Sequence, residues 1–307
     1  MYKKINKIED LLFLGDFEGA CNQSLLNNLD IKTVITIKDS EIPNDKRSDG
    51  VIYQSIIADD HPSVDLLSHF HETNAWITYG QSKGHGVLVH CQAGMSRSAT
   101  VVIAFLMNKY NKSSTETKTL VKSKRSVVSP NFGFEAQLQI YEDMNYRLDP
   151  NNRAFRRHLM NSLLFKDERR HIKPLDNYFE RREYCQRLTR VNFGQTYVCI
   201  NCSHSLFREI NVIRNVSIDG QNSGKCCEDI YIEPQVWMNN RINGLFEDQK
   251  GVDNSILCPV CSLKLGETYP LVNFFGSEFE SYECQCPNHR LIRCLYFKID
   301  SNKVKLK

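Results

Sequence analysis

The sequence predicts an α/β fold: a sandwich whose largely parallel central sheet is flanked by helices, followed by a smaller β-rich unit of different composition. Two observations predict it. Up to about residue 149, short β-rich runs alternate with segments of helical period, as in a chain whose parallel strands are linked by crossover helices. Beyond that point the cysteines crowd. Of 12 in 307 residues, nine fall between Cys199 and Cys294, and only Cys21 and Cys91 lie in the first half.

The elements follow in order. Leu11–Gly15, Thr33–Lys38 and Val51–Ala58 read as strands. Asp65–Gly80 has helical spacing, with Leu66, Phe70, Trp76 and Ile77 as candidate buried positions. Gly86-Val-Leu-Val-His90 is a short apolar run, read as a buried strand, and Ser98–Tyr110 a strongly apolar helix. Helical patterns return at Thr115–Lys124 and Phe134–Arg147, after which Asp149-Pro150 breaks the pattern. The expected division is 1–149 for the α/β domain, 150–190 for a connector and 191–307 for the cysteine-rich domain.

Composition narrows the function classes. With 41% hydrophobic and 24% charged residues the chain reads as a soluble globular protein. The longest apolar run, the seven residues Val101–Met107, is far below the roughly 18 that cross a bilayer, so no membrane partner is expected. Met1-Tyr-Lys-Lys-Ile-Asn-Lys7 lacks the apolar core of a signal peptide. A cytoplasmic and nuclear location is the expectation. In that reducing setting, cysteines serve metal binding or catalysis rather than disulfides.

The informative segment is His90-Cys-Gln-Ala-Gly-Met-Ser-Arg97-Ser98. The C-x5-R spacing alone is weak, because Cys202/Arg208 and Cys284/Arg290 also match it. Only the Cys91 match has a buried strand before it, a central glycine and an apolar helix after it. A loop leading into a helix N-terminus turns backbone N–H groups inward and cradles a phosphate. Gln92, Ala93, Gly94, Met95, Ser96 and Arg97 would form that cradle. Gly94 permits a backbone shape that a Cβ obstructs, and the Arg97 fork grips two phosphate oxygens. The same dipoles favour a nucleophilic thiolate at Cys91. Ser98 can donate to the departing sulfur, and His90 orients the loop. A thiolate attacking a phosphate ester also needs an acid to protonate the leaving oxygen. Asp59, Asp60 and Asp65 are candidates, and spacing does not choose among them; Asp65 suits a helix N-cap best.

These residues resemble the signature loop of the dual-specificity phosphatases. Tyr53-Gln-Ser-Ile-Ile-Ala-Asp-Asp60 resembles that family's acid loop, with Asp60 at the general acid. Ser129-Pro-Asn-Phe-Gly-Phe-Glu-Ala-Gln-Leu138 resembles the segment whose asparagine, here Asn131, braces the active-site loops. The resemblance covers about residues 8–148. It implies a cysteine-dependent phosphatase sandwich, a shallow cleft open to phosphotyrosine, phosphoserine and phosphothreonine of phosphoproteins, and catalysis without a cofactor. The uncharged loop residues Gln92, Ala93, Met95 and Ser96 argue against an inositol phosphate substrate. Lys118, Lys122, Lys124 and Arg125 read as a solvated helix face, with a basic wall to the cleft as the alternative.

Residues 151–190 hold 11 Lys/Arg against 5 Asp/Glu, with Leu159, Leu163 and Leu164 at helical intervals and Tyr178 and Phe179 beyond. A plain charged linker and a docking segment for an RNA-containing partner are the two readings.

Four close pairs follow: Cys199/Cys202, Cys226/Cys227, Cys258/Cys261 and Cys284/Cys286. Eight thiols suffice for two closed tetrahedral zinc sites, and polar stretches at 219–224 and 243–254 point to loops around a small core that depends on metal. Cys202-Ser-His-Ser-Leu-Phe207, Tyr231-Ile-Glu-Pro234, Trp237-Met238 and Leu257-Cys-Pro-Val-Cys-Ser-Leu-Lys-Leu-Gly266 resemble the C-terminal domain of the Yvh-type dual-specificity phosphatases. That likeness implies a zinc domain acting in large ribosomal subunit assembly, partly independent of phosphatase activity, with pre-ribosomal particles as partners; two structural zinc ions are the expectation from the eight thiols. The family carries a histidine between the first two cysteine pairs, and this chain has none between His204 and His289. Cys226 stands as the eighth ligand, with His204, His289 and Cys294 as alternatives. Two function classes result, a protein phosphatase and an assembly factor acting mainly through its zinc domain.

Overall fold

Strands β1 (Ile5–Glu9), β2 (Leu12–Gly15), β3 (Ile31–Lys38), β4 (Ile52–Ile57) and β5 (Gly86–His90) form one sheet in the order β1-β2-β5-β3-β4. Only β1 and β2 pair antiparallel; the other three pairings are parallel. The computed structural model describes residues 4–150, 152–163, 194–212, 229–238, 255–268 and 297–307. The chain divides into two units, Met1–His158 and Leu159–Lys307.

Parallel strands buried on both faces read as continuous apolar runs, and Val87, Leu88 and Val89 of β5 are fully buried. Successive side chains alternate between faces. Leu88 packs with Phe13, Leu26, Ile31 and Val34, a cluster that includes helices α1 (Phe17–Ala20) and α2 (Gln23–Asn28). Val87 turns the other way, against Gly80 of α3 (Phe70–Ser82). Helix α4 (Arg97–Tyr110) is buried without interruption from Arg97 to Met107, so it is the central helix of its layer. Asn111 ends it in the left-handed conformation (φ 51°) that asparagine tolerates. Ser113 and Glu116 then start α5 (Ser114–Lys124) with a reciprocal capping box. Helices α6 (Phe132–Asp143) and α7 (Arg153–Leu163) follow.

Several expectations need adjustment. Strand β1 was not expected. The Asp65–Gly80 helix begins at Phe70, preceded by a 3-10 turn at Leu67–His69, and Trp76 is only half-buried. Helix α6 ends at Asp143, short of Arg147. Arg125 is not part of a solvated face: it is 2% exposed.

The second unit is β-rich. Strands β6 (Thr196–Cys199), β7 (Ser205–Arg208) and β12 (Val304–Leu306) pair antiparallel in the order β12-β6-β7. Strands β8 (Asp229–Ile232), β9 (Ser255–Leu257), β10 (Lys264–Thr268) and β11 (Phe297–Asp300) pair antiparallel in the order β8-β11-β10-β9. Tyr178, Phe179 and Leu164 of the connector, and the loops expected at 219–224 and 243–254, lie outside the described residues.

Candidate active site and metal centre

The parallel strands carry their C-terminal ends to one edge, where ligands bind in open α/β sheets. In register, Gly15, Thr36 and His90 lie side by side there, and the loop Cys91–Ser96 leads from β5 into α4. Gly94 adopts φ +67°, and a Cβ on it would stand 2.3 Å from the Gly15 carbonyl oxygen. Glycine is therefore required twice over, by conformation and by space.

The loop's carbonyls face outward. Arg125 Nε donates to Gly94 O at 2.9 Å, Nη2 to Ala93 O at 2.9 Å, and Nη1 to Asn6 Oδ1 at 2.7 Å. Phe17 N–H donates to Gln92 O at 3.2 Å. With its carbonyls held outside, the loop has its N–H groups left for the inside. Gly94 N–H donates to Cys91 Sγ at 3.2 Å, and Ser98 Oγ does so at the same distance. Burial pushes the Cys91 thiol up. The Ser98 hydroxyl and N–H, the Arg97 charge and the Met95 N–H outweigh it, and the pKa falls below the ordinary thiol value.

His90 is fully buried, with Nε2 2.8 Å from Thr36 Oγ1 and Nδ1 3.1 Å from the Cys91 carbonyl oxygen. A carbonyl only accepts, so Nδ1 carries the proton and Nε2 accepts from the Thr36 hydroxyl. Burial, aided by the Lys38 and Arg97 charges, pushes its pKa down to about 4. The neutral ring thus ties the loop to β3.

Of the three candidate carboxylates, Asp60 joins this network through three contacts. Its Oδ1 accepts from Ser96 Oγ at 2.7 Å and from Asn131 Nδ2 at 2.9 Å, and its Oδ2 lies 3.7 Å from Arg97 Nε. Asn131 Oδ1 also caps α6 by accepting the Phe134 N–H. Asp65 is engaged elsewhere. It accepts the Ser68 N–H at 3.1 Å, bonds the Ser68 hydroxyl, and pairs with His158 Nε2 at 2.9 Å; it is not the N-cap of the following helix, a position that His69 holds. Asp59 is partly buried. Arg97 donates through Nη1 to Ala58 O at 3.1 Å, while its buried Nε has no hydrogen-bond partner. Met95 and Gln92 are exposed at the loop's surface. Sequence reasoning placed Arg125 only in a basic helix face, not behind the loop, and missed Thr36.

In the second unit, the Sγ atoms of Cys199, Cys202, Cys258 and Cys261 lie within 4.8 Å of one another. Cys199 and Cys261 are 3.6 Å apart, Cys202 and Cys258 3.5 Å. Four sulfurs at roughly 2.3 Å from a tetrahedral zinc would be about 3.8 Å apart, so this donor set fits that ion. The two C-x2-C turns are built alike. Ser203 N–H donates to Cys199 O at 2.9 Å and Ser262 N–H to Cys258 O at 3.0 Å, and both serines are left-handed. His204 is exposed and not a member of the group. Cys226, Cys227, Cys284, Cys286, His289 and Cys294 lie outside the described residues.

Comparison with known proteins gives a consistent picture. The family described as "Dual specificity phosphatase, catalytic domain" matches residues 12–144. Dual specificity protein phosphatase 12 of Mus musculus is 28% identical over 297 residues, 90% of this chain and 81% of the mouse protein. Tyrosine-protein phosphatase yvh1 of Schizosaccharomyces pombe is 28% identical over 230 residues, 74% of this chain and 64% of the yeast protein. Dual specificity protein phosphatase 1B of Arabidopsis thaliana is 36% identical over 140 residues, 46% of this chain and 83% of the plant protein.

Proposed function

This chain belongs to the dual-specificity protein phosphatases, and from that membership we propose that it hydrolyses phosphotyrosine, phosphoserine and phosphothreonine through a phosphocysteine on Cys91. The observation that carries this reading is the buried Nε of Arg97, which makes no hydrogen bond and only a 3.7 Å ion pair with Asp60, beside a Cys91 thiol held below its ordinary pKa. A buried N–H without an acceptor costs about 1–3 kcal/mol, and a phosphate oxygen is the acceptor that relieves it. Cys91 Sγ attacks phosphorus, the bond to the leaving oxygen breaks, and Asp60 gives that oxygen its proton. Asp60 then takes a proton from water, which attacks the phosphocysteine and releases inorganic phosphate. Ser98 donates to the departing sulfur. His90 and Asn131 hold the two loops.

The test is rapid quenching of the full chain with an aryl phosphate. The proposal expects phosphate bound to wild type at a stoichiometry near one per chain and none on Cys91→Ser. Turnover by Cys91→Ser at the wild-type rate would overturn it.

In the second unit, Cys199, Cys202, Cys258 and Cys261 would hold one structural zinc, with Cys226, Cys227, Cys284 and Cys286 as candidates for a second. The ion would close the fold around two distant turns, and the unit would dock partners. A second reading has support in the alignment with the mouse relative across 90% of the chain, so the cysteine-rich half accompanies the catalytic half. In that reading the protein acts in nucleus and cytoplasm on pre-ribosomal particles, mainly through its zinc unit. Deleting residues 191–307 should then impair large-subunit production while Cys91→Ser does not; the reverse pattern would remove this reading.

A further inference from the structure

Apolar side chains left in water are ordinary when scattered; their placement is informative here. Among the described residues of the first unit, seven large apolar side chains are exposed, and three of them border the catalytic loops: Ile57 at 38%, Met95 at 37% and Phe132 at 78%. Each is the chain neighbour of a residue in the hydrogen-bond network. Ile57 precedes Ala58, whose carbonyl accepts from Arg97. Met95 precedes Ser96, which donates to Asp60. Phe132 follows Asn131, which donates to Asp60 as well.

The segments carrying Met95 and Phe132 are also joined to each other. Ser129 N–H donates to Met95 O at 2.9 Å, and Asn131 N–H to Ser96 Oγ at 3.2 Å. Phe132 is the most exposed large apolar residue of the unit, at the start of a helix whose cap is fixed by Asn131. A phenyl ring this exposed, on backbone fixed by the Asn131 cap, serves no packing purpose in the isolated unit.

Resting on the phosphatase reading, we infer that Ile57, Met95 and Phe132 form an apolar rim that selects phosphopeptides with a large apolar residue flanking the phosphorylated one. The occupant is the substrate itself, because Met95 belongs to the loop that takes its phosphate and the segment carrying Phe132 is hydrogen-bonded to that loop. Burying about half of a leucine side chain against Phe132 corresponds to a preference of about tenfold.

The test uses the full chain and two phosphotyrosine peptides that differ only in the flanking residues, leucine in one and serine in the other. Wild type should show kcat/KM about tenfold higher for the leucine peptide. Phe132→Ser should reduce the ratio to within about twofold, with p-nitrophenyl phosphate turnover reporting that the loop is intact. Equal rates on both peptides in wild type, or an unchanged ratio in Phe132→Ser, would overturn the inference and leave the phosphatase reading standing. Self-association abolished by Phe132→Ser would assign the rim to a second copy instead. Turnover of neither peptides nor p-nitrophenyl phosphate above the Cys91→Ser level would remove both.

Discussion

Gly133 and Pro62 meet backbone to backbone: a Cβ placed on Gly133 would stand 2.0 Å from the Pro62 carbonyl oxygen. Nearby, Asn131 donates to Asp60, and Gln137 donates to Val64 O while accepting the N–H groups of Leu66 and Leu67. Helix α6 is thus the surface on which the whole Asp60–Leu67 segment is laid. The side chain missing at Gly133 lets that segment lie flat.

Gly133→Ala is therefore expected to displace the segment and with it Asp60. On phenyl phosphate, whose leaving oxygen needs a proton, kcat should fall about ten- to a hundredfold. On p-nitrophenyl phosphate, which departs readily as an anion, the fall should be clearly smaller. Local propensity alone argues the other way, since alanine favours a helix by about 1 kcal/mol over glycine. A loss equal on both esters would show that this contact does not set proton delivery.

Arg125 holds the phosphate loop from behind, with three donors committed to Gly94 O, Ala93 O and Asn6 Oδ1. Arg125→Met would preserve much of the stem and leave those acceptors unpaired, at a cost of about 2–4 kcal/mol. Orthovanadate affinity should fall along with the urea midpoint. Arg125→Lys should recover only part of both, because an ammonium cannot reproduce the planar fork. Vanadate affinity unchanged in Arg125→Met would separate this residue from the loop's shape.

The contrast between Cys91 and Arg125 shows what a sequence carries. The Cys91 loop is legible because its determinants are local: a buried strand, a glycine and an apolar helix within 25 residues of one another. Arg125 follows three lysines of α5, and only the helix ending at Lys124 turns it inward. Choosing Asp60 over Asp59 and Asp65 depends on Ser96 and Asn131, which lie 36 and 71 residues away. Strand β1 was invisible because Ile5-Asn-Lys-Ile-Glu9 has two apolar residues and pairs on one side only. The cysteine pairs were plain, but the meeting of 199/202 with 258/261 is a fact of topology.

His90 makes the folded unit acid-sensitive in a defined window. Its pKa falls from 6.5 to about 4 on folding, chiefly through burial, so the unfolded chain takes the proton first. Stability is flat above pH 7, falls as pH drops below about 6.5, and levels off below about 4 on this account. The loss between pH 7 and pH 4.5 is about 2–3 kcal/mol. His90→Gln, which keeps a group within reach of Thr36 and removes the titration, should lack this component. Urea midpoints of both proteins at the two pH values measure it; parallel slopes would rule the assignment out.

The cysteine cluster yields the last prediction. Four thiols within 4.8 Å join two turns that are 56 to 62 residues apart in the chain. Closing such a loop is entropically costly, and the described core around it is small: Val198, Leu206, Phe207, Ile256 and Leu265 are its buried apolar members nearest in sequence. A structural zinc contributes about 10–16 kcal/mol in comparable sites, as much as the whole stability of an ordinary domain. Removing it should therefore unfold this unit. Trp237, whose Nε1 donates to Leu206 O at 2.6 Å, should then shift its fluorescence to the red. Turnover of p-nitrophenyl phosphate should persist, since no residue of the catalytic network belongs to this unit. In the double variant Cys199→Ser/Cys258→Ser, metal content measured by elemental analysis should drop by about one zinc per chain. An unchanged content would mean that these four sulfurs meet for another reason. Loss of turnover in step with loss of metal would mean that the catalytic unit depends on the zinc unit for its fold.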